Sequence, residues 1–177
     1  WDVAVALDGF DPGYFLPGWN GRVNGRLAST GQARDAGGFD LDVDLQDLGG
    51  QLRGRALDGR GHFALRGSDG RGELVLALGA SRLRAQGRIA GQRIDVEAQA
   101  APVRLDDLWP DAGGELQGSV QLAGPRNAPD LRSDLQGRGL RWGEWTAAQF
   151  SLHGALPWRG RGGDLQLEAR ALDAGVA

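Results

Sequence analysis

The chain has 177 residues, of which 41% are hydrophobic, 31 are glycine and none is cysteine, and its formal net charge is −3. This size suits one domain or a section of a repetitive array. The missing cysteines exclude disulfides and thiolate metal sites, and the acidic balance argues against a nucleic-acid surface. The chain opens at Trp1 without a basic region or an apolar signal core, so we expect it to be part of a longer protein.

Period-two alternation dominates the chain and predicts strands that have one apolar and one polar face. In the segment 39–45 every odd residue is apolar and every even residue is aspartate. The same alternation occurs at 21–27, 50–56, 72–78, 83–89, 94–98, 114–120, 131–135, 148–152 and 165–169.

Turn signals separate these segments, and helix signals are almost absent. The single helical candidate is a turn near Val103–Leu108, stopped by Pro110. Turns are predicted at Asp58-Gly59, Ser68-Asp69-Gly70, Gly79-Ala80 and Pro125–Pro129.

The count is about eleven antiparallel strands, which makes a sheet roughly 50 Å wide with strands about 20 Å long. No helix is available to cover the apolar face, so the sheet either closes as a barrel or sandwich or curls into a trough. Alternation predicts that polar residues such as Arg22, Arg26, Gln51, Arg53, Asp42, Asp44, Glu97 and Gln117 are exposed.

The apolar side chains of the predicted strands are the candidate functional residues, as the lining of a hydrophobic groove that contacts lipid. Glycines 25, 54, 87 and 118 share that face and are expected to leave it unevenly filled. The predicted lining comprises Val23, Leu27, Phe39, Leu41, Val43, Leu45, Leu52, Phe63, Leu65, Leu74, Leu76, Leu78, Leu83, Ile89, Ile94, Val96, Leu116, Val120, Leu122, Leu131, Leu135, Phe150, Leu152, Leu165 and Leu167.

Motifs for catalysis, metals and cofactors are weak, and we expect neither an enzyme nor a bound cofactor. Asp40, Asp42 and Asp44 resemble half of a calcium loop, but apolar residues separate them, which favours a solvated strand face. Residues 59–64 fit the letters of a dinucleotide fingerprint, yet a predicted strand follows instead of a helix. His62 and His153 are too few for most zinc sites.

The six tryptophans, at positions 1, 19, 109, 142, 145 and 158, fall mostly near the ends of predicted strands. They fit the rim of a lipid groove, the aromatic girdle of an outer-membrane barrel, or plugs at the ends of a core. One tyrosine and five phenylalanines are few for a girdle.

An ordered set of motifs over residues 7–142 resembles the middle of the TamB family of AsmA-like periplasmic proteins. It begins with Leu7-Asp8-Gly9-Phe10-Asp11-Pro12 and a Pro-x-Trp-x-Gly strand start at 17–21. It continues through residues 48–57 and 83–87 and is strongest at Leu105-Asp106-Asp107-Leu108-Trp109-Pro110, then at 114–118, 122–125 and 128–131.

This resemblance implies a curled antiparallel sheet, a β-taco with a hydrophobic interior, in which residues 1–177 form one segment of a longer periplasmic array. It also implies that an N-terminal helix anchors the parent protein in the inner membrane. A distant region would meet an Omp85-family outer-membrane barrel, TamA. The family is linked to outer-membrane biogenesis, autotransporter secretion and phospholipid transport, and it brings no catalytic residues.

The predicted function is therefore a periplasmic conduit segment. Its groove carries phospholipid acyl chains between the membranes, or shields outer-membrane protein and autotransporter strands during assembly. Two alternatives stay open: a structural sandwich or adhesin-like module with a dry core, and a small outer-membrane barrel with its apolar face outward.

Overall fold

The computed structural model describes residues 1–35, 38–158 and 162–173, and within these ranges eleven strands form a single antiparallel sheet. Each strand pairs only with its neighbours in sequence, so the strand order runs from β1 to β11 without a crossover. The prediction of an all-β fold with an open antiparallel sheet, about eleven strands and almost no helix is confirmed. The strands are β1 Asp2–Phe10, β2 Gly21–Ala33, β3 Phe39–Leu52, β4 Arg55–Arg66, β5 Asp69–Leu78, β6 Ser81–Ala90, β7 Arg93–Arg104, β8 Ala112–Pro125, β9 Asp130–Trp142, β10 Trp145–Leu156 and β11 Asp164–Asp173.

Two short helical elements interrupt the strands, and each follows an odd-numbered strand. A 3-10 turn over Pro12–Tyr14 comes after β1, and Asp11 caps it by accepting a hydrogen bond from the backbone N–H of Gly13. The helix α1, Leu105–Leu108, comes after β7 and matches the predicted helical turn. No helix in the described ranges is long and apolar enough to cross a membrane.

The hairpin turns agree only in part with the turn signals of the sequence. The turns at Gly79-Ala80 and at residues 126–129 are confirmed, and the turn before β5 lies at Gly67-Ser68. The predicted turn at Asp58-Gly59 is wrong, because both residues lie inside β4. The turn between β3 and β4 is instead formed by Arg53 and Gly54, whose φ angles of 54° and 72° are both positive, as a two-residue hairpin turn requires.

Bulges, among them one in β3 and one in β7, keep the apolar residues on one side of the sheet where the sequence changes phase. One extra residue lies in β3 between Leu45 and Leu48, and another lies in β7 between Ala100 and Val103. A bulge shifts the alternation by one residue without turning the strand over. Odd-numbered and even-numbered apolar residues of the same strand therefore share a face.

Candidate hydrophobic groove

The register of the strands places the predicted groove residues on one continuous face, which we call the apolar face. Residues directly opposite each other on paired strands point to the same side of a sheet. One row crosses the sheet from β3 to β11 through Leu48, Gly59, Leu76, Leu83, Ala100, Gly118, Leu135, Leu152 and Leu167. A second row contains Val43, Phe63, Gly72, Gly87, Val96, Leu122 and Leu131. Every predicted lining residue lies either in one of these rows or at a strand position that points to the same face.

Large side chains in these rows occupy the space beside some of the glycines, which have no side chain of their own. A Cβ built at Gly59 would lie 3.0 Å from Leu76 Cδ1 and 3.1 Å from Leu48 Cδ2. A Cβ at Gly72 would meet Phe63 Cδ2 at 3.0 Å, and one at Gly87 would meet Val96 Cγ2 at 2.9 Å. The expectation of an unevenly filled face is therefore wrong at Gly87, because its neighbour occupies the space. It is also wrong at Gly54, which lies in the β3–β4 turn.

The apolar face is neither fully buried nor fully exposed. Of the 25 predicted lining residues, three are buried, seventeen are half-buried and five are exposed. The buried three are Val23, Leu52 and Leu78, and the exposed five are Leu27, Phe39, Phe63, Leu122 and Leu167. A closed sandwich core would bury most of such residues, so this face is an open trough for most of its length.

Burial is concentrated at one rim of the trough, which we call the capped rim. There Val23, Leu52, Leu57 and Leu78 form a buried cluster, against which Trp19 and Leu108 pack. Because Leu108 belongs to α1, the short helix covers the apolar face at this rim. The expectation that no helix would cover the face is therefore wrong at this rim.

The opposite strand ends form what we call the open rim. Phe39, Phe63 and Leu122 near this rim are 37–44% exposed, whereas Leu52, Leu57 and Leu78 at the capped rim are only 3–9% exposed. The exposure of the apolar side chains therefore increases along the strands from the capped rim to the open rim, and the two sides of the trough are not equivalent.

Sequence reasoning missed several residues of the capped rim. Leu57 is absent from the predicted lining, because an uninterrupted strand over residues 50–56 would place it out of phase with Leu52. The step from Leu52 to Leu57, which changes phase, is the signal that could have located this turn. Arg53 itself is not on the polar face as predicted; its guanidinium lies 5.7 Å from the centre of the Trp19 ring.

The polar face carries ion pairs and hydrogen bonds, which explain why Asp42, Asp44 and Glu97, predicted to be exposed, are half-buried. Asp42 pairs with Arg66 at 2.7 Å and Asp44 with His62 at 2.9 Å. Glu97 accepts hydrogen bonds from the amides of Gln86 and Gln99. Arg22, Arg26, Gln51 and Gln117 are exposed, as predicted. Residues 59–64, the dinucleotide-like letters, lie entirely inside β4.

A cavity of about 880 Å³ extends over β4 to β8 and is lined mainly by residues of the polar face, together with Ile94 of the predicted groove. Arg71, Arg88 and Arg93 line it together with Glu73, Asp95 and Glu97. Three arginines and three carboxylates leave no net charge that would favour an anion or a cation. The cavity is therefore the concavity of a twisted polar surface rather than a charged binding site.

Ser133 is a polar residue on the apolar face. The Oγ of Ser133, opposite Val120 and Gly154, is buried and lacks a hydrogen-bond partner within the described ranges. Its small side chain takes one of the small positions in a cross-strand row.

The carboxylates of α1 are held near neighbouring arginines. Burial acts to raise the pKa of Asp106, but the hydrogen bond and charge of Arg104, with the charge of Arg55, outweigh it and lower the pKa below the ordinary value.

The tryptophans lie at strand ends, as predicted, but only Trp19 packs into the buried cluster. Trp1, Trp109, Trp142, Trp145 and Trp158 are exposed, and Trp109 contacts Trp142 with ring centres 5.3 Å apart. The plug interpretation therefore applies to Trp19, and the others lie on the rims.

Comparison with known proteins identifies relatives for this arrangement. The family model described as the N-terminal domain of TamB matches residues 1–176. The translocation and assembly module subunit TamB of Haemophilus influenzae is 25% identical over 158 residues, which cover 88% of this chain and 12% of that protein. The chain thus spans only a small part of the length of this relative, and no solved structure matches. The match over nearly the whole chain shows that this protein belongs to the TamB family.

Proposed function

We propose that this chain is a section of a hydrophobic conduit in the bacterial envelope, whose apolar face carries phospholipid acyl chains between the inner and outer membranes. The relative's name makes that protein a subunit of a translocation and assembly module. By extension, the parent of this chain works in the periplasm, is anchored in the inner membrane and meets an Omp85-family barrel such as TamA. Its role is non-enzymatic and supports outer-membrane biogenesis, including protein transport and autotransporter secretion.

The observation that carries the proposal is the continuous apolar face that crosses the sheet and keeps most of its side chains partly open to water. Burying one leucine-sized side chain fully is worth about 1.5–3 kcal/mol. A face with seventeen half-buried and five exposed members therefore gains from any apolar occupant. This also argues against the dry structural module, in which the same side chains would already be covered by the protein itself.

The backbone favours acyl chains over polypeptide as the occupant of this face. Inner strands of the sheet already pair their N–H and C=O groups with both neighbours. A polypeptide laid across the face would find no backbone partners there, and unpaired amides are costly away from water. An acyl chain has no such groups to satisfy.

Shielding of outer-membrane protein strands is a second candidate function, and the edges of the sheet would carry it out. In the described part of the chain, β1 pairs only with β2, and β11 pairs only with β10. The exposed Val3 and Val5 on β1 and Leu167 and Leu172 on β11 provide apolar contacts beside the unpaired backbone. An added strand of an assembling protein would dock there by β-augmentation.

The test is site-specific photo-crosslinking in the full-length parent protein in cells. A benzophenone amino acid at Phe63, which is aromatic and exposed on the apolar face, should capture phospholipid. Leu76 is less suitable, because it packs against the buried cluster.

The matched control carries the same probe at Arg60, exposed on the polar face of the same strand. Arg60 should capture no lipid. Equal capture at both positions, or none at Phe63 in a folded protein, would refute the conduit. A probe at Val3 that captures outer-membrane proteins would support the second candidate.

A further inference from the structure

The carboxylate of Asp107 fixes α1 over the capped rim, although it lies on the apolar side of the sheet. Its side chain is 3% exposed. The backbone N–H of Ser81 donates to Asp107 Oδ2 at 3.2 Å and the Ser81 hydroxyl donates to the same oxygen at 2.6 Å. Arg55 Nε donates to Oδ1. A buried carboxylate needs such partners, because an unpaired charge there would be strongly unfavourable.

The partners of α1 come from strands that are distant along the chain. Arg55 begins β4 and also pairs with Asp106 at 2.9 Å, while Arg53 Nη1 donates to the backbone oxygen of Asp107 at 3.0 Å. Ser81 begins β6. The contacts of α1 therefore reach back from β7 to the β3–β4 hairpin and tie the helix across the mouth of the trough.

The fit around Asp107 is close on the side of the β5–β6 turn. A Cβ built at Gly79 would lie 3.1 Å from Asp107 Oδ1 and 3.2 Å from Oδ2, and Gly79 has a φ of 57°. The turn thus leaves room for a carboxylate and little else. This close fit and the packing of Leu108 on the buried cluster hold α1 in one position over the apolar face.

From these contacts we infer that acyl chains have access to the trough from one rim only. Asp107 and Arg55 hold α1 in place over the capped rim, and acyl chains enter and leave through the open rim. The inference rests on the proposed conduit and adds the direction of access. Both helical elements of the described ranges follow odd-numbered strands, which end at the capped rim. At the open rim the strands that carry Phe63 and Leu122 end in hairpin turns alone.

Asp107 and Arg55 are positioning residues in this scheme, since they act through α1. The experiment compares benzophenone probes at Leu57 and Phe63, which lie on the same face of β4 at opposite rims. Both probes are placed in the full-length parent protein with native sequence and with Asp107→Asn. Phe63 should capture phospholipid in both backgrounds. Leu57 should capture little in the native background and severalfold more with Asp107→Asn.

The control substitution is Asp111→Asn, an exposed aspartate beyond α1 whose carboxylate has no partner in the described ranges. It should leave Leu57 as weakly labelled as in the native background. Thermal unfolding of each variant confirms that it folds. If the protein with the probe at Leu57 does not fold, the probe is placed at Leu76 instead.

Three outcomes separate this inference from the conduit itself. Equal capture at both rims of the native protein overturns access from one rim only while supporting the conduit. Labelling at Phe63 with no gain at Leu57 in the folded Asp107→Asn variant overturns the role of Asp107 in holding α1 in place. Absence of capture at every position overturns the conduit, and the inference with it.

Discussion

At the scale of single residues, glycine has a packing role that its frequency does not reveal. Alternation along the strands placed the predicted apolar residues on one face, because the side-chain period of a strand is fixed, but it missed Leu48 and Leu57, which follow a bulge and a turn. It did not predict which glycines receive a neighbouring side chain, because that depends on cross-strand register. Asp58-Gly59 has the letters of a turn, yet Gly59 lies mid-strand and accommodates Leu48 and Leu76.

Gly59→Val should therefore destabilise the fold. The added side chain would force Leu48 and Leu76 away from positions only about 3 Å from its Cβ, and overpacking of this kind costs about 1–3 kcal/mol. The matched control is Gly49→Val, where a Cβ would lie 3.7 Å from its nearest neighbours. Denaturant unfolding of the two variants measures the difference; equal stability would show that the apolar face tolerates extra volume.

At the scale of elements, the strands were predictable and the contacts of α1 were not. Leu105–Leu108 was recognisable as a helical turn, but a four-residue helix gives no sequence signal for where it docks. Its partners at Arg55 and Ser81 lie more than twenty residues away along the chain. Only the tertiary structure brings the three segments together, so the capped rim could not be predicted.

The charges around α1 make its contribution depend on pH. A carboxyl whose pKa is lowered in the folded state stabilises the protein above its unfolded pKa, about 3.9 for aspartate, and loses that contribution as the pH falls through the folded pKa. The pKa of Asp106 is lowered in this way. Stability of the native chain should thus fall more steeply below about pH 4 than that of Asp106→Asn.

Denaturant unfolding at pH 6 and pH 3 tests this difference, because the two proteins differ only in the carboxyl group at position 106. Parallel losses of unfolding free energy would mean that Arg104 and Arg55 do not stabilise the ionised Asp106.

At the scale of the whole molecule, we expect the two outer strands to govern association in solution. β1 and β11 each expose a row of unpaired backbone groups within the described ranges, and β1 adds the exposed Val3 and Val5. Such edges favour pairing with another chain. Residues 1–177 prepared alone should therefore self-associate as concentration rises, as measured by sedimentation velocity.

Val5→Lys should weaken this association, because a charge on an edge strand opposes pairing. Thr30→Lys, an exposed position on the adjoining strand β2, serves as a control and should leave association unchanged. A monomer at every concentration, with native secondary structure, would count against open edges.

The strictly sequential strand order also governs how the length of such a sheet can change. Inserting or deleting one hairpin adds or removes two adjacent strands, which alters the width by roughly 10 Å while every later strand keeps its direction. Loops and helices that follow odd-numbered strands, such as α1 after β7, then remain at the same rim. Loss of a single strand would instead reverse all later strands and transfer their connections to the opposite rim. Length variation among these proteins should consequently occur in steps of two strands.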